Sequence, residues 1–141
     1  MELGVIGLGR MGQIVVERTL AAGHTVVAYD RDTAAVDAAT DAGAVGVEAL
    51  EDVCERLEGP PRLWLMLPAG EAVDATLTAL APQLTDAAIV VDGGKSHHAD
   101  SRRRAAETPA AYRDCGTSGG PASAEAGFSL MVGGPADAYA T

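Results

Sequence analysis

Leu3-Gly4-Val5-Ile6-Gly7-Leu8-Gly9-Arg10-Met11-Gly12 decides the fold: a short apolar strand runs straight into a G-x-G-x-x-G turn. A helix-compatible run follows from Gln13 to Ala22, with Gly23 placed to cap it. A second strand, Thr25-Val26-Val27-Ala28-Tyr29, then ends in Asp30. In such a unit the first glycine permits the tight turn, the second lets backbone approach a pyrophosphate, and the third lets helix and strand pack closely. The helix start offers free N–H groups and the positive end of its dipole to phosphates. Asp30 lies 18 residues past Gly12, where a carboxylate can accept hydrogen bonds from an adenosine ribose. Strand, turn, helix, second strand and terminal acid together point to dinucleotide binding. The alternative is a glycine-rich turn in an α/β domain that holds some other ligand.

The rest of the chain continues the alternation. Thr33 to Ala42 reads as a helix ended by Gly43, and Ala44–Val47 as a short extended stretch. Leu50, Val53, Cys54 and Leu57 have helical spacing, stopped by Gly59-Pro60-Pro61. Leu63–Leu67 is a continuous apolar run, as in a buried parallel strand. Val73, Leu77 and Leu80 mark another helix, Ala88–Val91 another strand, and Ala99–Thr108 a further helix. Tyr112–Cys115 and Ser129–Val132 read as the last strands. This order predicts an α/β, Rossmann-type, doubly wound and mostly parallel sheet with helices on both faces, in one domain spanning residues 1–141. Gly- and Pro-rich turns are expected after the strands at Gly7, Leu67, Val91 and Cys115, where such a sheet opens its ligand crevice.

Composition narrows the function classes. An apolar fraction of 48% in 141 residues suits one packed core. No apolar run approaches the ~20 residues of a membrane span, and no secretion signal is visible at the start. Twenty acids against ten bases give a net charge of −10, which disfavours nucleic acid and anionic membrane as partners. Cys54 and Cys115 lack metal-ligand or C-x-x-C spacing and read as buried thiols in a reducing cytoplasm, so no metal is expected. The acids are dispersed, and Lys95 is the only lysine; this favours a salt-rich cytoplasm over an ordinary acidic protein, since salt screens self-repulsion.

Further motifs carry a family likeness. They are Trp64-Leu65-Met66-Leu67-Pro68-Ala69-Gly70, Asp92-Gly93-Gly94-Lys95-Ser96-His97, Gly116-Thr117-Ser118-Gly119-Gly120, and Gly127 through Leu130-Met131-Val132-Gly133-Gly134. With the first glycine turn they resemble 6-phosphogluconate dehydrogenase, within the β-hydroxyacid dehydrogenases, along the whole chain. The resemblance implies oxidation of 6-phosphogluconate with NAD or NADP, loss of carbon dioxide, and release of ribulose 5-phosphate. It implies cofactor contacts at Gly7, Leu8, Gly9, Arg10, Met11, Gly12, Asp30, Arg31, Asp32, Leu67, Pro68, Ala69 and Lys95. Substrate contacts would come from Lys95, Ser118, Gly119 and Gly120. NAD is expected over NADP, because Asp30 would repel a 2′-phosphate. A cytoplasmic enzyme, homo-oligomeric at full length, is expected.

Two departures qualify the likeness. The family pattern has Asn where this chain has Lys95. The family's general-base lysine and glutamate acid lie on a helix beyond this domain, so no catalytic residue is assigned between Met1 and Thr141. The chain is thus expected to be an N-terminal fragment or truncated copy that lacks the helical second domain. The alternatives are another β-hydroxyacid dehydrogenase, of the 3-hydroxyisobutyrate type, and a non-catalytic dinucleotide-binding module. His97 and His98 read as a solvated loop or substrate rim, Arg102-Arg103-Arg104 as a solvated helix face, and Trp64 as packing beside the sheet.

Overall fold

The central strands of the sheet are short and largely apolar, with most of their residues buried. The computed structural model describes residues 1–118, 127 and 129–134. The strands are β1 (Glu2–Ile6), β2 (Thr25–Tyr29), β3 (Val45–Gly46), β4 (Arg62–Leu65), β5 (Ile89–Asp92), β6 (Ala111–Ser118) and β7 (Ser129–Gly133). The helices are α1 (Arg10–Ala21), α2 (Thr33–Asp41), α3 (Asp52–Arg56), α4 (Glu71–Leu80) and α5 (His98–Glu107), with one 3₁₀ turn at Ala81–Gln83. The sheet runs β3-β2-β1-β4-β5-β6-β7. All neighbours are parallel except β6 and β7. The first six strands therefore follow the doubly wound order, with the switch point between β1 and β4.

Helices cover the two faces unequally. Leu3, Val5, Val26 and Ala28 pack against Val15 and Val16 of α1 and Ala39 of α2. On the other face Ile6, Val27, Leu63, Leu65 and Val90 meet Val53 of α3 and Val73, Leu77 and Leu80 of α4. Burying each Val, Leu or Ile among them stabilises the fold by about 1.5–3 kcal/mol. Gly23 and Gly43 follow α1 and α2 with φ of 80° and 110°, as a helix-ending glycine requires.

Two expectations are corrected here. β6 does not end at Cys115 in a turn; it continues through Ser118, which pairs with Ser129. The antiparallel ladder to β7 supplies backbone partners that outweigh the weak strand preference of Gly116-Thr117-Ser118. Arg102-Arg103-Arg104 is not a uniformly solvated face either. Arg103 is exposed, whereas Arg104 is 1% exposed and lies among buried groups. On β7, Leu130, Met131 and Val132 are all exposed.

Candidate functional site

The carboxyl ends of β1, β2, β4, β5 and β6 open onto one crevice of about 790 Å³. Its floor is the glycine turn. Gly7 has φ 94°, and a Cβ there would meet the Met66 carbonyl oxygen at 2.5 Å. A Cβ at Gly12 would collide with the Gly7 carbonyl oxygen. Nothing lies within 4 Å of a Cβ built on Gly9. Gly7 and Gly12 are thus needed by the protein itself, while the space over Gly9 is open. Gly9 is the N-cap of α1, without a side-chain cap and with no acid in the first turn. The first N–H groups of that helix are therefore free to meet an anion.

Asp30 closes one side of the crevice. Its Oδ2 accepts the Leu8 N–H at 2.6 Å and its Oδ1 accepts the Asp32 N–H at 2.9 Å. Asp32 in turn caps α2 by accepting the Ala34 N–H at 3.0 Å. The charged residues lining the crevice are Arg10, Arg31, Lys95 and the single acid Asp30. A chain of net charge −10 thus gathers three cations around one crevice, which attracts anionic ligands.

The crevice brings together Gly7, Gly9, Arg10, Met11, Gly12, Asp30, Arg31, Leu67, Pro68 and Lys95 of the expected residues. Leu8 contributes its backbone N–H, but its side chain is 2% exposed and faces the α1 core. Asp32 and Ala69 stand outside the lining, Asp32 because it serves as a helix cap. Ser118 is exposed at the end of β6, and Thr117 rather than Ser118 lines the crevice. Gly119 and Gly120 lie outside the described residues. His97 caps α5, its Nδ1 accepting the Ala99 N–H at 3.3 Å, and His98 begins that helix. Trp64 is half-buried with its Nε1–H on Met66 Sδ at 3.1 Å. Sequence reading missed Tyr29, Met66 and Thr76 in the wall. Tyr29 ends β2 as expected, and Met66 follows β4, which stops at Leu65 and not at Leu67; a place at a strand's carboxyl end was the available signal.

It also missed a polar network beneath the wall. Asp92 is fully buried at the end of β5. It accepts the Gly94 N–H at 3.0 Å, the Ser96 hydroxyl at 2.6 Å and the Tyr112 hydroxyl at 2.6 Å. Arg104 donates to Asp74 Oδ1 at 2.8 Å, Ser96 Oγ at 2.7 Å, the Gly70 carbonyl at 3.1 Å and Asp92 Oδ2 at 3.5 Å. Arg104 beside it, then Arg103, hold the Asp74 carboxyl down at about 2. Asp74 raises the Arg104 guanidinium in return. Burial first, then the bond to Asp92, pushes the Tyr112 phenol up. Burial also pushes the Cys54 thiol up to about 11 and raises Cys115, leaving both as inert apolar groups. Among the described residues no three His, Cys, Asp or Glu gather as a metal site, and no helix is long and apolar enough to cross a membrane.

Comparison with known proteins agrees with this geometry. A family model described as the NAD binding domain of 6-phosphogluconate dehydrogenase matches residues 2–141. An NAD(+)-dependent, decarboxylating 6-phosphogluconate dehydrogenase of Haloferax volcanii is 62% identical over 139 residues, covering 99% of this chain and 46% of that protein. The chain therefore spans about half the length of that relative. The 6-phosphogluconate dehydrogenase structure of Plasmodium falciparum is similar with TM-score 0.85 and 30% identity, over 99% of this chain and 32% of that one. A 3-hydroxyisobutyrate dehydrogenase of Mycobacterium tuberculosis shares the fold with TM-score 0.89 at 24% identity, over 99% of this chain and 48% of that one.

Proposed function

The chain belongs to the family of the NAD-binding domain of 6-phosphogluconate dehydrogenase, and from that premise we propose that it supplies the cofactor site and part of the substrate site for oxidative decarboxylation of 6-phosphogluconate to ribulose 5-phosphate. The observation that carries the reading is the open space over Gly9, at the uncapped start of α1, inside a crevice lined by Arg10, Arg31 and Lys95. A dinucleotide fits there by shape and charge: pyrophosphate over Gly7–Gly12, adenosine ribose toward Asp30. Asp30 already accepts two backbone N–H groups, yet an ionised carboxylate has lone pairs left for ribose hydroxyls. Its charge disfavours a 2′-phosphate, and the Haloferax volcanii relative is named NAD(+)-dependent; NAD is the preferred cofactor.

When bound, NAD supplies the hydride acceptor; this chain's residues bind and orient. Lys95 offers its ammonium to the carboxylate or phosphate of the sugar acid as a point charge. Ser118, Gly119 and Gly120 complete the substrate side in this reading, supported by their place just after Thr117. The base that takes the hydroxyl proton is not assigned to a residue of this chain. The setting is cytoplasmic and the full-length enzyme homo-oligomeric; the acidic surface argues against nucleic acid and anionic membrane as partners.

Titration of the protein with NADH, followed by nicotinamide fluorescence, and with 6-phosphogluconate, followed by calorimetry, tests the proposal. Binding of both is expected. Failure to bind either NADH or NADPH would sink it.

A further inference from the structure

Lys95 is the one residue other than glycine with a positive φ, 62°, among the described residues. Asn and Asp adopt that left-handed conformation far more readily than lysine does. Something must hold it. Both chain neighbours of Lys95 are bound to one carboxylate: the Gly94 N–H and the Ser96 hydroxyl each donate to Asp92. Ser96 Oγ also accepts from Arg104, so the hydroxyl donates a hydrogen bond to Asp92 while accepting one from the guanidinium. Arg104 reaches further, to the Gly70 carbonyl at the start of α4. One buried guanidinium thus joins the loop after β4 to the loop after β5, which carries Lys95.

We propose that Arg104 is a positioning residue: braced by Asp74 and Asp92, it fixes the left-handed backbone of Lys95 through Ser96 and so sets where the only ammonium side chain of the crevice stands. The role for that ammonium, meeting an anionic group of the substrate, rests on the function proposed above; the clamp itself does not. A buried arginine is a poor choice for stability alone, because desolvation offsets most of its attraction to the acids. Its four acceptors belong to α4, β5 and the two loops, and no apolar side chain could replace those directional bonds. Lysine, with a point charge on a flexible stem, could not span them either.

Because Lys95 is the chain's only lysine, protein labelled with ¹⁵N-lysine gives a single backbone amide signal that reports this one residue. Arg104→Lys and Ser96→Ala are each expected to shift that signal or broaden it away. Val26→Ala, which truncates a fully buried residue of β2 in the cluster under α1, away from the network, is the control and is expected to lower Tm while leaving the signal in place. If Arg104→Lys does not fold, Ser96→Ala decides, since it removes one hydroxyl and nothing else. A Lys95 signal unmoved in the folded variants would overturn the clamp. Titration with 6-phosphogluconate separates the second claim. In the parent it should move the Lys95 signal, and Ser96→Ala should weaken binding about tenfold in the parent but not in a Lys95→Ala background. Equal weakening in both backgrounds would show that Ser96 acts without Lys95 and overturn its positioning role. A parent signal indifferent to 6-phosphogluconate would sink the substrate reading alone, leaving the clamp to be decided by the variants.

Discussion

Asp30 Oδ2 accepts the backbone N–H of Leu8 at 2.6 Å, so the acid at the end of β2 is fastened to the glycine turn that leaves β1. The two parts of the dinucleotide motif hold each other before any ligand arrives. In the proposed reading this acid has two tasks, shaping the phosphate turn and meeting the ribose.

That double role separates two substitutions. Asp30→Asn keeps an acceptor for Leu8 but loses the charge and the second acceptor, which the Asp32 N–H uses; it should lower Tm less than Asp30→Ala does and narrow the preference for NAD over NADP, by about tenfold or 1.4 kcal/mol. Asp30→Ala loses both acceptors and the charge, so it should lower Tm further and weaken NAD. Parallel titrations with both cofactors and thermal melting read these effects. Parent protein that binds NADP as tightly as NAD would defeat the assignment.

Gly9→Ala and Gly12→Ala should fail in different ways. The Gly9 methyl enters open space, so stability should change by no more than about 1 kcal/mol while NAD affinity falls at least ~10-fold. The Gly12 methyl meets the Gly7 carbonyl oxygen and should cost about 1–3 kcal/mol of stability. Unchanged NAD binding in Gly9→Ala would mean the phosphates lie elsewhere.

Acid should erase the contribution of Asp74. Its carboxyl stands at about 2 in the fold against an ordinary 3.8. The stabilisation is therefore present in full above pH 3.8 and fades as pH falls toward 2. With 39% of its side chain exposed, water screens the pair, and about 1 kcal/mol is a fair size. Parent and Asp74→Asn should differ in Tm by about 3 °C near neutrality, and the gap should close in acid. A gap that stays constant from pH 6 to pH 2 would rule out the ion pair as its source.

Assayed by itself, the 141-residue chain should bind dinucleotide and show essentially no turnover of 6-phosphogluconate. Lys95 is its only lysine and is assigned to substrate contact, while His97 is turned to cap α5. Lack of a positioned general base costs about 10²–10⁴-fold, and lost substrate-positioning groups cost more. Robust NADH production by this chain would make Lys95 or His97 the base.

Local signals carried much of this fold. The turn from Gly7 to Gly12, the apolar runs of β1, β2 and β5, and the glycines after α1 and α2 are legible because each depends on neighbours in sequence. Arg104 was not legible. Its acid partners Asp74 and Asp92 come from α4 and β5, and an Arg-Arg-Arg run looks solvated until helix phase turns one member inward with Ser101. The extension of β6 to Ser118 was hidden for the same reason, since its hydrogen bonds come from β7. Thr76 joins the crevice wall only because α4 packs across the sheet end.

The two faces of the sheet also differ in the span of chain that builds them. Apart from half-buried Trp64, the cluster under α1 and α2 draws only on residues from Leu3 to Ala44, whereas the opposite cluster gathers side chains from Ile6 to Tyr112. Short loops close at less entropic cost than long ones. The phosphate turn and its supporting helix should therefore acquire amide protection early in refolding, ahead of β5 and β6, in a pulsed hydrogen-exchange experiment. The cofactor's resting place would then be formed before the wall that carries Lys95 closes over it.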